Sequence, residues 1–391
     1  MGLVAQRVRR LIGVAAAAIA ACDGGARVAA ALVGPHWRYG WVWAVGKAAA
    51  SMAREFGGAL VIDPRVAAHP IPDGRSVAAA EALLAAARAV PAGERALLLL
   101  SGGASSLLAA PVEGLGLDEL QAATQALLSA GASIHQINVV RRHLTRLGGG
   151  KLAAACPGAI DVLALSDVAG DDPATIGSGP ASPEPASRDE ASAIARRYGV
   201  GAAALRALER VGDNPRADHP AFARGSYRVL ASPSTLRDEA AAAAAAAGYR
   251  VTVRQALVAG DVGELAVELA ARADRLAPGE LFISVGEPTV RVRGGGLGGR
   301  AQQLALALSG PLAGGDCALV AVGSDGRDGP TDAAGAAVDG DTAAALARAG
   351  IDAAAALAAC DAHPALAAVG ATISAWATGT NLTDLYLLAR G

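Results

Sequence analysis

Short apolar runs that stop on a glycine, a serine or an acid recur along this chain, and they constrain its fold more than any other feature. Trp41–Val45 runs into Gly46-Lys47, residues 97–100 into Ser101-Gly102-Gly103, and 162–165 into Ser166-Asp167. Further on, 281–285 runs into Gly286-Glu287 and 319–322 leads to Ser324-Asp325-Gly326. Runs this short and continuous read as buried strands. Helical stretches separate them at 48–56, 76–90 (with Ser76 as cap), 117–129, 238–247, 261–276 and 301–308. In the first half of the chain, strand–helix alternation predicts an α/β fold with a parallel sheet covered on both faces. In such sheets ligands bind outside the carboxyl ends of the strands, so these turns are predicted to form the binding edge.

The stretch 162–180, VLALSDVAGDDPATIGSGP, concentrates this signal. Asp167, Asp171 and Asp172 follow one strand, and carboxylates gathered there repel unless a cation or a phosphate-bound metal lies between them. Gly177, Ser178, Gly179 and Pro180 form a small-residue turn after them. Lys47, on the first turn after a strand, carries a charge that can meet phosphate or carboxylate. The turn Ser101, Gly102, Gly103, Ala104, Ser105, Ser106 leaves backbone N–H groups accessible to an anion. Arg141 and Arg142 are adjacent and face different sides, so at most one is predicted to reach a site and the other to be a surface charge.

Length and charge exclude other classes. A chain of 391 residues suggests two domains. A Pro-rich polar piece between 181 and 226 marks their edge, giving 1–225 and 226–391. Net charge is −2 and aromatics are 3%, which leaves neither a basic field nor stacking surfaces for nucleic acid. No run is long enough for a membrane span. The four cysteines are scattered without a CxxC pair, as for free thiols in a reducing cytosol. At the N-terminus, Arg7, Arg9 and Arg10 precede an apolar run, and Ile19-Ala20-Ala21-Cys22 resembles a lipoprotein cleavage box. The run is mostly alanine and its pattern continues past Arg27, which favours an ordinary helix and a cytoplasmic protein.

Gly294, Gly296 and Gly299 satisfy G-x-G-x-x-G before a helix. The residues ahead of them, 289–293, read as a hairpin arm rather than a buried strand, so the nicotinamide reading lacks its context.

Taken together, the ordered blocks AVGKAAASM at 44–52, HPIPDG at 69–74, LLSGGASSLL at 99–108, INVVRRHL at 137–144, SDVAGDD, GSGP, GEPTV, GGRAQQLALA, SDGRDGPTDAAGA at 324–336 and TGTN at 378–381 resemble the glycerate 2-kinase family, whose C-terminal half is the MOFRL domain. The resemblance implies a Rossmann-like N-terminal domain and a smaller α/β C-terminal domain with the active site between them. It implies ATP-dependent phosphorylation of D-glycerate at its 2-hydroxyl, with Mg²⁺. Lys47, Asp167, Glu287, Arg300, Asp325 and Asn381 match the family's site residues. On this basis Lys47 and Arg300 offset charge, Asp325 is the proton acceptor with Glu287 second to it, and Asn381 holds substrate. Ser101, Gly102, Gly103, Ser105, Ser178 and Gly179 take the ATP phosphates through backbone N–H, and Mg²⁺ lies near Asp167, with Asp171 and Asp172 either in its outer shell or only shaping the loop. Some relatives carry the label hydroxypyruvate reductase, which keeps an NAD(P)H-dependent alternative open, and a homodimer is compatible with the family. The chain departs from the pattern at Ala104, Ala301, Gln302, Gln303 and Gly148; the last replaces a usual lysine, weakening phosphate binding unless Lys151 takes its place.

Overall fold

The computed structural model describes residues 3–33 and 39–391, which divide into two compact units, Gly24–Leu230 and Met1–Asp23 with Ala231–Gly391. In the first unit, β1 (Trp41–Val45), β2 (Leu60–Ile62), β3 (Arg95–Leu100), β4 (Ala159–Leu165) and β5 (Tyr227–Ala231) form one sheet in the order β2-β1-β3-β4-β5. The pairs β1–β2, β1–β3 and β3–β4 are parallel, with Val45 opposite Leu100 and Leu100 opposite Ala164. The strands therefore end level, and the turns after them share one edge. Trp43, Val45, Leu98, Leu100 and Val162 pack with Leu83 and Ala87 of the helix Gly74–Arg88. Asp73, not Ser76, is the N-cap of that helix; Ser76 supplies the reciprocal bond of a capping box. A separate apolar cluster joins the helices Leu117–Ser129, Ile134–Leu144, Arg188–Arg197 and Ala202–Arg210.

The second unit holds β6 (Arg250–Val253), β7 (Glu280–Gly286), β8 (Cys317–Gly323), β9 (Ala333–Asp339), β10 (Thr372–Ser374) and β11 (Asp384–Arg390). Their order is β10-β9-β8-β11-β7-β6, and only β6–β7 is parallel among the described pairs. β11 lies between β7 and β8, so Asp384 faces Gly286 on one side and Gly323 on the other. The ends of β7 and β8 and the start of β11 thus meet at one edge. The helices Val262–Ala273 and Arg300–Ser309 cover one apolar cluster of this sheet.

Three sequence expectations change, and one strand lies where the sequence gives no sign of it. Residues 228–231 were expected to open the second domain, but β5 hydrogen-bonds at the edge of the first sheet. The first helix, Leu3–Ala21, packs with Pro233–Ala246 and β8 of the C-terminal unit instead of joining the N-terminal domain. Its Leu11, Val14, Ala18 and Ile19 are buried, and Arg10 donates to the Ala247 carbonyl and lies over the Tyr249 ring. Strand β9 has the sequence AAGAAVD and carries no strand signal of its own; pairing with β8 and β10 makes it one. Residues 289–293 form no hairpin, only a single bridge at Thr289 to Asp261. No disulfide joins Cys22, Cys156, Cys317 or Cys360 among the described residues. Among the described residues no single helix is long and apolar enough to cross a membrane.

Candidate active site

In the N-terminal unit the site begins where β1 turns. Gly46 has φ 124°, and a Cβ there would lie 2.2 Å from Ser101 Oγ, so only glycine lets the two turns touch. Lys47 N donates to Gly102 O (2.9 Å), and Ser101 N donates to Val45 O (2.9 Å). Ala48 N donates to Ser101 Oγ at 3.1 Å. Ser101 is fully buried and its hydroxyl braces this junction, so it is not the anion ligand expected from the sequence. Gly102 and Gly103 keep N–H groups with no acceptor among the described residues. A methyl on Gly103 would fall 3.3 Å from Lys47 Cγ and 3.1 Å from the His69 ring. The lysine stem and the imidazole therefore stand over this turn, and Lys47 is exposed. His69 belongs to a motif seen in the sequence, but its place beside Lys47 depends on the fold of the 69–74 turn.

The Gly177–Gly179 turn differs from its expected role. Gly177, Ser178 and Gly179 all have positive φ, at 58°, 65° and 56°. Ser178 N donates to Thr175 O and Gly179 N to Ile176 O, so these two N–H groups are already spent within the loop. What the turn presents is the Ser178 hydroxyl, 2.8 Å from Ser105 Oγ. Arg141 Nη2 donates to Ser178 Oγ (3.2 Å) and to Asn138 Oδ1 (2.6 Å). Arg142 is 1% exposed and donates from Nε and Nη2 to Glu184 at 2.5 and 2.8 Å, so neither arginine of the pair is the surface charge that the sequence predicts for one of them. Lys151 does not replace the usual lysine: its Nζ donates to Arg142 O (2.7 Å), and burial pushes its pKa down to about 7.

The three aspartates do not form a metal cage. Asp172 accepts from Ala174 N and from Thr175 Oγ1, capping its own loop. Asp171 has φ 54° and an Oδ1 buried without a partner. Asp167 is half-buried at the end of β4. No group of three His, Cys, Asp or Glu side chains among the described residues is placed to hold a metal ion. Proximity in sequence misled here because an Asx cap turns one carboxylate back on its own loop.

In the C-terminal unit, Arg300 opens its helix and is held by two acids. Its Nε and Nη2 donate to Asp384 at 2.5 and 3.0 Å, and Nη2 lies 2.8 Å from Glu287 Oε1. Burial alone would lower the Arg300 pKa, but the Asp384 bonds and charge outweigh it and raise it. Asp384 is buried and also accepts from Tyr386 Oη (3.0 Å). Sequence reasoning placed Asp384 only as a neighbour of the last strand; its shared face with Tyr386, two residues on, is the signal that could have found it. Asp328, also buried, caps the Arg300 helix through Ala301 N and Gln302 N (3.0 and 2.8 Å). A Cβ on Gly299 would lie 2.2 Å from Asp328 Oδ1. Burial, with repulsion from Asp384, pushes the Asp328 pKa up to about 6.

Ser324 ties the two remaining site loops together, its Oγ accepting from Leu382 N and Thr383 N at 2.9 and 3.0 Å. Asp325, half-buried, and Asn381, buried, flank that clamp. Asp325 Oδ1 accepts from Arg327 N at 3.1 Å. Thus Lys47, Gly102, Gly103, Ser105 and Ser178 gather at one sheet edge, and Glu287, Arg300, Asp325 and Asn381 at the other unit's edge.

Comparison with known proteins adds the family. Residues 11–211 match DUF4147, a domain of unknown function, and 280–384 match the MOFRL family. A glycerate 2-kinase of Pyrococcus horikoshii is 32% identical, over 89% of this chain and 86% of that protein. A D-glycerate 2-kinase of Thermotoga maritima is 34% identical, over 82% of this chain and 78% of its own. A protein of Agrobacterium vitis, named only provisionally as a hydroxypyruvate reductase, is 37% identical over 83% of this chain and 76% of its own. The crystal structure of a glycerate kinase from Thermotoga maritima superposes with a TM-score of 0.87 at 30% identity, covering 99% of this chain and 100% of that one.

Proposed function

The chain belongs to the glycerate kinase family built from a DUF4147 domain and a MOFRL domain, and we infer that it transfers the terminal phosphoryl group of ATP to the 2-hydroxyl of D-glycerate. The observation that carries this reading is the kinase relatives' similarity across both matched domains, together with charged clusters at the two sheet edges. Phosphoryl transfer asks for positioning and charge neutralisation more than for covalent chemistry.

Lys47 stands over the Gly102-Gly103 turn, whose free N–H groups suit phosphate oxygens. In this reading Lys47 offsets charge on the transferred group. Arg300 is already balanced by Asp384 and Glu287, so its guanidinium serves to hold those carboxylates and orient them toward the substrate hydroxyl. Asp325 accepts the hydroxyl proton, and Asn381 hydrogen-bonds the substrate. Asp167, Asp171 and Asp172 do not fit a resident metal, and no step runs through one. A kinase needs no all-protein cage for Mg²⁺, which binds with one or two carboxylates and the nucleotide's own phosphates.

The test is ADP release by the purified protein with ATP, Mg²⁺ and D-glycerate. ADP formation that depends on D-glycerate supports the reading. NAD(P)H oxidation with hydroxypyruvate, in the absence of such ADP formation, replaces it with the reductase. Nothing at Gly294–Gly299 favours that second reading, because residues 287–299, which carry no strand beyond the bridge at Thr289, separate β7 from the helix there.

A further inference from the structure

We infer that Arg141 binds an oxyanion of a reactant, a carboxylate or a phosphate, beside the hydroxyls of Ser105 and Ser178. The inference rests on the kinase reading and adds a binding residue to it. The contrast between two adjacent arginines carries the argument. Arg142 meets a carboxylate in bidentate fashion and gives its Nη1 to Ala174 O, so its charge and donors are accounted for. Arg141 has the same charge and, among the described residues, no acid paired with it. Its Nη2 meets only neutral oxygens, of Asn138 and Ser178, and its Nε is buried with no partner among those residues. A half-buried guanidinium with a buried, unsatisfied Nε and no counter-ion is costly, and its planar fork is shaped for carboxylate or phosphate.

The surroundings sharpen the imbalance. Glu184 is the acid paired at this helix end, where Arg141, Arg142 and Lys151 all lie, and Arg142 takes both of its oxygens. Burial, with repulsion from Arg142, pushes the Arg141 pKa down to about 10, in the direction a bound anion would reverse. A cation at the end of the helix Ile134–Leu144 could serve the helix dipole instead. Such a side chain would donate to the last carbonyls, whereas Arg141 reaches across to Ser178, 37 residues on. There the hydroxyls of Ser178 and Ser105 border a cavity of about 10 Å³, room for about one water, which Leu108, Thr145, Leu147 and Pro180 also line. Ser105 lies two residues after Gly103, so the cation faces the same turn as Lys47.

The experiment is steady-state kinetics of the full chain, varying D-glycerate and ATP in turn, for wild type, Arg141→Met and Arg141→Lys, with thermal midpoints as the folding check. In Arg141→Met the KM of one reactant should rise by roughly 10- to 100-fold and the other stay within about twofold. Added guanidinium should restore part of the loss. Arg141→Lys should show the same selective rise, because a point charge does not replace the fork; it also stands in for the methionine variant should that one fail to fold. A rise in the D-glycerate KM identifies the carboxylate, and a rise in the ATP KM the phosphate. Unchanged KM values, equal rises in both, or a fall in kcat alone overturn the inference. A wild type that releases no ADP removes the kinase reading by itself. Calorimetric titration with D-glycerate and with ATP then decides the role of Arg141: weaker binding of one by the variant supports it, and equal or absent binding overturns it.

Discussion

Lys47 illustrates how a single side chain acquires its place. Its backbone N–H is fixed to Gly102 O, and its stem lies against Gly103, so the base of the side chain is anchored on that turn. Removing a group that stabilises developing charge costs ~10²–10³ in turnover. Lys47→Ala should therefore lose that much kcat with its thermal midpoint kept; a variant retaining more than about a tenth of wild-type turnover would contradict the role. Asp328 makes a different prediction. Its carboxyl is raised to about 6 in the fold, above the unfolded value, so the folded state binds the extra proton between roughly pH 4 and 6. The contribution of this group to stability is full below that window and is lost as pH rises through it. Thermal midpoints measured from pH 4 to 7 should show this falling component in wild type and not in Asp328→Asn. An identical pH profile for the two would contradict it.

At the scale of elements, the junction between β1 and β3 holds the N-terminal edge together. A methyl at residue 46 would lie 2.2 Å from Ser101 Oγ and 2.4 Å from its carbonyl oxygen, on a backbone with φ 124°. Gly46→Ala should lower the thermal midpoint and the turnover together, since it separates the Lys47 turn from the Gly102-Gly103 turn; an unchanged midpoint would show that the junction tolerates the extra atom. These strands and their turns were legible in the sequence because each apolar run is short, continuous and stopped by a glycine or an acid. What each turn does with its polar atoms was not legible. Ser101 and Ser178 look alike in the sequence, yet one hydroxyl is buried as a brace and the other faces Ser105. Arg300 and Asp384 stand 84 residues apart, and only the β7–β11–β8 register brings them together. Strand β9 was invisible because alanine and glycine carry no period, and β5 was misplaced because the Pro-rich piece before it looks like a boundary.

At the scale of the whole molecule, the chain begins in one unit, crosses to the other and returns. The helix Leu3–Ala21 belongs to the C-terminal unit, where Leu11, Val14 and Ile19 are buried. Each such side chain contributes ~1.5–3 kcal/mol of burial, so deletion of residues 1–21 should sharply lower the denaturation midpoint. A truncated protein that unfolds at the wild-type denaturant concentration would contradict this packing. The proposed reading draws on residues of each unit: Lys47 in the first, and Arg300 and Asp325 in the second. The most direct measurement is the identity of the product. Incubation with ATP, Mg²⁺ and D-glycerate, followed by phosphorus and carbon NMR, should give 2-phosphoglycerate; a 3-phosphate product, or unchanged glycerate, would contradict the account.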